Sequence, residues 1–147
     1  MVRYLAVAVV VAIAFLVGWF AQRRRPDAPV RTGWTVPEQL DRNDFARPDA
    51  PFLVAVFTSA TCTTCADIMA KVAVLESDSV AVHEAEYRRD RVLHDRYGID
   101  AVPAVLIADA DGVVRRNFLG PTTVAHLWAA VAEVRDPGSA PPACDHT

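Results

Sequence analysis

Apolar and polar positions along this chain fall into blocks whose period changes from one block to the next. Residues 4–21 carry no charged side chain, a run near the lower length limit for a helix that crosses a bilayer. Residues 22–35, with Arg23, Arg24, Arg25, Pro26 and Pro29, show neither helical nor strand period and read as a tether. Thr35 to Leu40, together with Phe45, supplies a first strand or a short helix. Phe52 to Phe57 is wholly apolar and rich in β-branched and aromatic residues, so it reads as a buried strand, entered through the turn residues Pro48 and Pro51. From Ala66 to Leu75 the apolar residues Ile68, Met69, Val72 and Leu75 recur at helical spacing.

Ser79 to Glu86 reads as a second strand, and Arg88 to Arg96 as a short charged helix. That helix ends at Tyr97-Gly98, where glycine suits a left-handed C-cap. Ala104 to Ala108 and Val113 to Phe118 form a hairpin about the turn Asp109-Ala110-Asp111-Gly112. Pro121 to Val134 is a closing helix, with Val124, Leu127, Trp128 and Val131 expected on one face. Residues 136–147, with Pro137, Pro141 and Pro142, read as a disordered tail. The order of elements over residues 36–135 gives an α/β sandwich with a mixed sheet.

Composition narrows the function more than the fold. A chain of 147 residues holds one domain plus appendages. A net charge of −3 is too small to suggest a nucleic-acid partner. Three cysteines, two of them in one motif, do not make a disulfide framework, which turns attention to redox chemistry. Trp19 and Phe20 near the end of the apolar run, followed by three arginines, favour an uncleaved membrane anchor over a cleaved signal peptide, whose small-residue cleavage site they would spoil.

The motif is Cys62-Thr63-Thr64-Cys65, at the junction of the first core strand and the following helix, with Cys65 expected about a turn beyond Cys62. Unpaired N–H groups and the positive dipole end of a helix stabilise a thiolate at Cys62, and the thiolate is the nucleophile of disulfide exchange. Cys65 is close enough to close a small ring and resolve a mixed disulfide. The same spacing also serves structural disulfides and zinc sites.

Downstream stand Tyr97-Gly98-Ile99, then Val102-Pro103 before an apolar strand, then Gly120 before the last helix. With Cys62-Thr63-Thr64-Cys65 after a strand, these residues resemble the thioredoxin superfamily over roughly residues 36–135. The resemblance implies a three-layer α/β sandwich behind one N-terminal transmembrane helix. It implies a thiol–disulfide oxidoreductase without a cofactor, with Cys62 and Cys65 catalytic. It further implies a cis peptide bond at Pro103, with Thr61, Val102 and Pro103 against the substrate chain. The expected partners are proteins carrying disulfides or dithiols, a redox recycling partner, and the lipid bilayer through residues 4–21. Membrane-tethered members usually face the extracytoplasmic space, whereas Arg23, Arg24, Arg25 and Arg31 after the span against Arg3 before it lean cytoplasmic. The side stays open.

The chain departs from the family at three places. Val56 stands where thioredoxins carry a buried aspartate, Thr61 where they carry a tryptophan, and Thr63-Thr64 where Gly-Pro is usual. Glu84 is a candidate substitute acid for proton transfer near Cys65, against the blander reading of a solvated strand-end carboxylate. These departures keep a second reading alive: a thioredoxin-fold binding or assembly module, including a thiol-based metal carrier.

Cys144 and His146 would complete a Cys₃His set with the motif cysteines, but the long gap argues against a metal site. His83, His94 and His126 show no ligand spacing and read as surface or core residues. Arg88, Arg89, Arg91 and Arg96 cluster, yet Glu84, Glu86, Asp90 and Asp95 are interleaved, so the cluster reads as a solvated face. Asp109 and Asp111 begin like a calcium loop without its remaining ligands, and read as a hairpin turn.

Overall fold

The computed structural model describes residues 36–139. The expected anchor (4–21), the tether (22–35) and the tail cysteine Cys144 lie outside the described residues. Among the described residues no helix is long and apolar enough to cross a membrane.

Four strands form one mixed sheet in the order β2-β1-β3-β4: β1 (Phe52–Thr58), β2 (Val80–Glu86), β3 (Ala104–Ala108) and β4 (Val114–Leu119). β1 runs parallel to β2 and antiparallel to β3, and β3 runs antiparallel to β4. The helices are α1 (Cys65–Ala73), α2 (Arg91–Tyr97) and α3 (Val124–Arg135). β1 is central and covered on both faces, which is why its sequence is an apolar run rather than an alternation.

The alternation of the strand sorts those residues into two cores. Leu53, Ala55 and Phe57 join Ala104, Leu106, Ile99 and the N-terminal residues Leu40 and Phe45 on the face where Leu93 and Tyr97 of α2 pack. Val54 and Val56 join Val105 and Ile107 on the other face, against Ile68 and Val72 of α1 and Leu127 and Val131 of α3. Three layers result, as the sequence suggested.

Several local expectations hold. Gly98 caps α2 at φ 62° with its N–H donating to the carbonyls of His94 and Asp95. In the turn after β3, Asp109 accepts the N–H groups of Asp111 and Val113, and Gly112 sits at φ 79°. A Cβ at Gly112 would lie 2.0 Å from the Leu40 carbonyl oxygen, because the Gly112 carbonyl itself accepts the Leu40 N–H. That contact shows what residues 36–45 do. They make an isolated bridge, Gln39 to Val113, followed by a 3-10 turn over Arg42–Asp44, in place of a full strand. The Arg42 guanidinium is buried and ties this segment down through the carbonyls of Arg47, Ala50 and Asp109.

The closing helix differs from its expected face. α3 starts at Val124, where Thr123 caps it by accepting the His126 N–H, so Pro121 lies before the helix. Its buried residues are Leu127, Ala130 and Val131; Val124 and Trp128 are 37% and 49% exposed. The pair is spaced by four and forms a flanking stripe, turned off the core by the helical period. His94 is a core residue bonded to the Ala85 carbonyl, His83 is half-buried with Nδ1 accepting the Ala46 N–H, and His126 is exposed.

Candidate functional site

The register Phe57↔Ala104 brings the C-terminal end of β1 beside the N-terminal end of β3. The loop 59–64 and the Val102-Pro103 peptide bond therefore meet at one end of the sheet. Cys62 and Cys65 are joined there as a disulfide, with Cα atoms 5.5 Å apart. Cys65 is the first residue of α1 and is buried at 4% exposure, whereas Cys62 is half-buried in the turn ahead of the helix. The helix thus begins at the second cysteine, which places Cys62 just outside its N-terminus. Cys62 is thus the more accessible residue of the pair and Cys65 the more sheltered.

A hydroxyl supports Cys62. Thr64 Oγ1 lies 3.7 Å from Cys62 Sγ, within reach for its hydroxyl to donate to the sulfur. Thr63 and Thr61 are exposed, and Thr61 bonds to Ser59 rather than to a cysteine (Oγ1 to Oγ, 3.1 Å). The Val102-Pro103 bond is cis. Pro103 is buried with its carbonyl accepting the Gly120 N–H at 2.8 Å, and Val102 is half-buried at the edge of the core that holds Phe57.

Glu84 pairs in register with Val56, on the β1 face that packs against α1. Its carboxylate is half-buried and accepts the hydroxyl of the fully buried Thr58 at 2.8 Å. Thr58 is a residue that pattern reading missed: as the last position of β1 it looks like a strand end, yet it joins the acid to the strand that carries the cysteine loop.

Glu86 was missed as well. One carboxylate oxygen accepts the Ala60 N–H at 3.1 Å, and the other accepts the Arg88 and Arg89 N–H groups. One side chain therefore ties the cysteine loop to the turn after β2. The only sequence signal was an acid at the last position of a strand, just before a turn. The Arg89 N–H holds this carboxyl below its ordinary value near 4.5, helped by Ala60 and Arg88, while desolvation acts the other way. A depressed carboxyl stabilises the fold above its unfolded value and loses that contribution as pH falls through the folded value. The Ala60 amide resonance is therefore expected to hold steady above pH 4.5 and to titrate below it. Glu86→Gln should abolish that acid transition; an Ala60 amide that ignores pH in the wild-type chain would refute the clamp.

The basic cluster is partnered unevenly. Arg89 pairs with Asp90 and donates to the Glu84 carbonyl, and Arg96 pairs with Asp44. Among the described residues no group of three metal-ligating side chains comes together.

No protein-family model and no curated protein sequence matches the chain. Solved structures do resemble it. A mutant thioredoxin of Halobacterium salinarum shares 22% identity, covering 65% of this chain and 89% of that one at a TM-score of 0.51. The germline-specific thioredoxin Deadhead of Drosophila melanogaster shares 19% identity over 59% of this chain and 84% of its own, at a TM-score of 0.52. A thioredoxin-fold protein from Helicobacter pylori shares 11% identity over 66% of this chain and 84% of its own, at a TM-score of 0.51. The shared property is the fold.

Proposed function

We propose that this thioredoxin-fold chain is a thiol–disulfide oxidoreductase that exchanges its Cys62–Cys65 pair with partner proteins. The observation that carries the reading is the asymmetry of the pair, an accessible Cys62 ahead of a helix and a buried Cys65 within it, at the end of the sheet shared with Val102-Pro103. In the reducing direction the Cys62 thiolate attacks a partner disulfide, forming one S–S bond and expelling one partner thiolate. Cys65 then loses its proton and attacks Cys62 Sγ, releasing the second partner thiolate and closing the Cys62–Cys65 disulfide. Two electrons pass to the partner; the reverse sequence donates a disulfide.

Thr64 stabilises the Cys62 thiolate by donating its hydroxyl. Glu84, held by Thr58, is the group proposed to take the Cys65 proton in place of the acid that Val56 lacks. The backbone of Val102 pairs with the substrate chain, with Thr61 and Pro103 lining its path. Residues 4–21 anchor the domain in a bilayer through the tether 22–35. Because the thiolate and not the thiol attacks, exchange in the reducing direction speeds up as pH rises.

The test is direct. Full-length chain, reduced and mixed with a disulfide-bonded protein, should yield reduced partner and oxidised Cys62–Cys65 in equal amounts, quantified by thiol alkylation and mass spectrometry. No transfer, together with stoichiometric zinc or copper held under reducing conditions, would replace the enzyme with the metal-carrier reading.

A further inference from the structure

We infer that the turn after β2, with Arg88 and Arg91 and the ring of Tyr87, is a docking face for an acidic, extended polypeptide segment next to the partner's reactive disulfide. The inference rests on the oxidoreductase reading for the disulfide in the partner, while the docking face stands on geometry alone.

Position comes first. Tyr87 N–H donates to the Thr58 carbonyl at 2.9 Å, and Glu86 holds Ala60 at 3.1 Å, so this turn lies against the loop that leads into Cys62. In sequence the arginines look neutralised by neighbouring acids. The structure divides the two signs differently. Glu84 faces the Thr58 hydroxyl, Glu86 receives three backbone N–H groups, and Asp90 receives the Glu86 N–H and Arg89 Nε. Those carboxylates point at the protein's own donors.

The cations point outward. Arg88 is exposed, and its guanidinium has no partner among the described residues. Arg91 is 66% exposed; its ion pair with Asp95 spans 3.6 Å between two solvated side chains and is easily exchanged for a better partner. Its guanidinium also lies over the Tyr87 ring, 5.5 Å from the centroid. The Tyr87 ring is fixed from behind by an edge-to-face contact with the buried His94, centroids 5.2 Å apart, and remains 37% exposed. A rigid aromatic ring with adjacent arginines is the residue set that anchors protein–protein contacts, and guanidinium groups match carboxylates in geometry. An acidic chain is the occupant by charge complementarity.

The experiment uses two synthetic peptides with the same internal disulfide, one flanked by aspartates and one by lysines, against the full-length reduced chain. At ~0.01 M salt the aspartate peptide should be reduced about tenfold faster, and at ~1 M salt the two should converge. The charge-reversed variant Arg88→Glu with Arg91→Glu should prefer the lysine peptide, an inversion that loss of structure cannot produce. Equal rates in the wild-type chain, or a preference that survives charge reversal, would overturn the docking face. Binding is read separately, by fluorescence anisotropy of labelled serine-for-cysteine peptides on the oxidised chain. If no disulfide is reduced but the aspartate peptide still binds more tightly, the oxidoreductase reading fails and the docking face stands. If both peptides bind alike, the docking face fails whatever the rates.

Discussion

Cys62→Ser should lower disulfide exchange by on the order of a thousandfold or more, the scale seen when a nucleophile is removed from a catalytic unit. Cys65→Ser should do something different: the first attack proceeds and then stops, so a mixed disulfide accumulates on Cys62. The asymmetry follows from burial, because Cys65 at 4% exposure is shielded from a protein partner while Cys62 is not. Partner bound covalently to the Cys65→Ser chain, resolved on a non-reducing gel and released by reductant, is the readout. Equal trapping by both single variants would mean that the two sulfurs are interchangeable and that the assigned roles are wrong.

Phe57→Ala should cost about 3–5 kcal/mol, the range for removing a fully buried phenylalanine. Phe57 has no exposed surface and meets the rings of His94, Phe45 and Tyr97 at centroid distances of 5.0, 6.4 and 6.4 Å. It joins the sheet, α2 and the N-terminal segment, so no single neighbour can shift to fill the gap. It also pairs with Ala104, the residue after Pro103, so the end of the sheet that carries the site should loosen with it. Urea unfolding followed by tryptophan fluorescence measures the loss. A change below about 1 kcal/mol would mean that the core around it collapses freely, against the packing described here.

Much of the fold was readable because its signals are local. The apolar run Phe52 to Phe57 reads as a buried strand and is one, Gly98 takes the left-handed cap conformation its context suggested, and Gly112 lies in the hairpin turn that was expected. The cysteine pair and the Val102-Pro103 bond were readable through a resemblance, since neither spacing nor periodicity says that two loops far apart in the chain share one end of a sheet. Long-range side-chain bonds were not readable. Glu86 clamping Ala60 and Thr58 holding Glu84 depend on which strand ends lie side by side, and Arg42 buried among three carbonyls depends on the N-terminal segment folding against the turn after β3. Pattern reading treats a charged residue in a turn or at a strand end as solvated, and Arg42 and Glu86 show how that default fails when backbone groups need partners. The face of α3 failed for another reason. Val124, Leu127, Trp128 and Val131 make as regular a helical stripe as Leu127, Ala130 and Val131 do, and the period alone does not say which edge of the apolar surface meets the sheet.

The central claim is that the Cys62–Cys65 disulfide turns over. The measurement that tests it most directly is the reduction potential of that pair in the full-length chain, titrated against a dithiol buffer and read by thiol alkylation. An oxidoreductase predicts a reversible two-electron couple between about −270 mV and about −120 mV, the lower end marking a reductant and the upper end an oxidant. A pair that cannot be cycled, or one whose potential lies below about −300 mV as structural disulfides do, would contradict it.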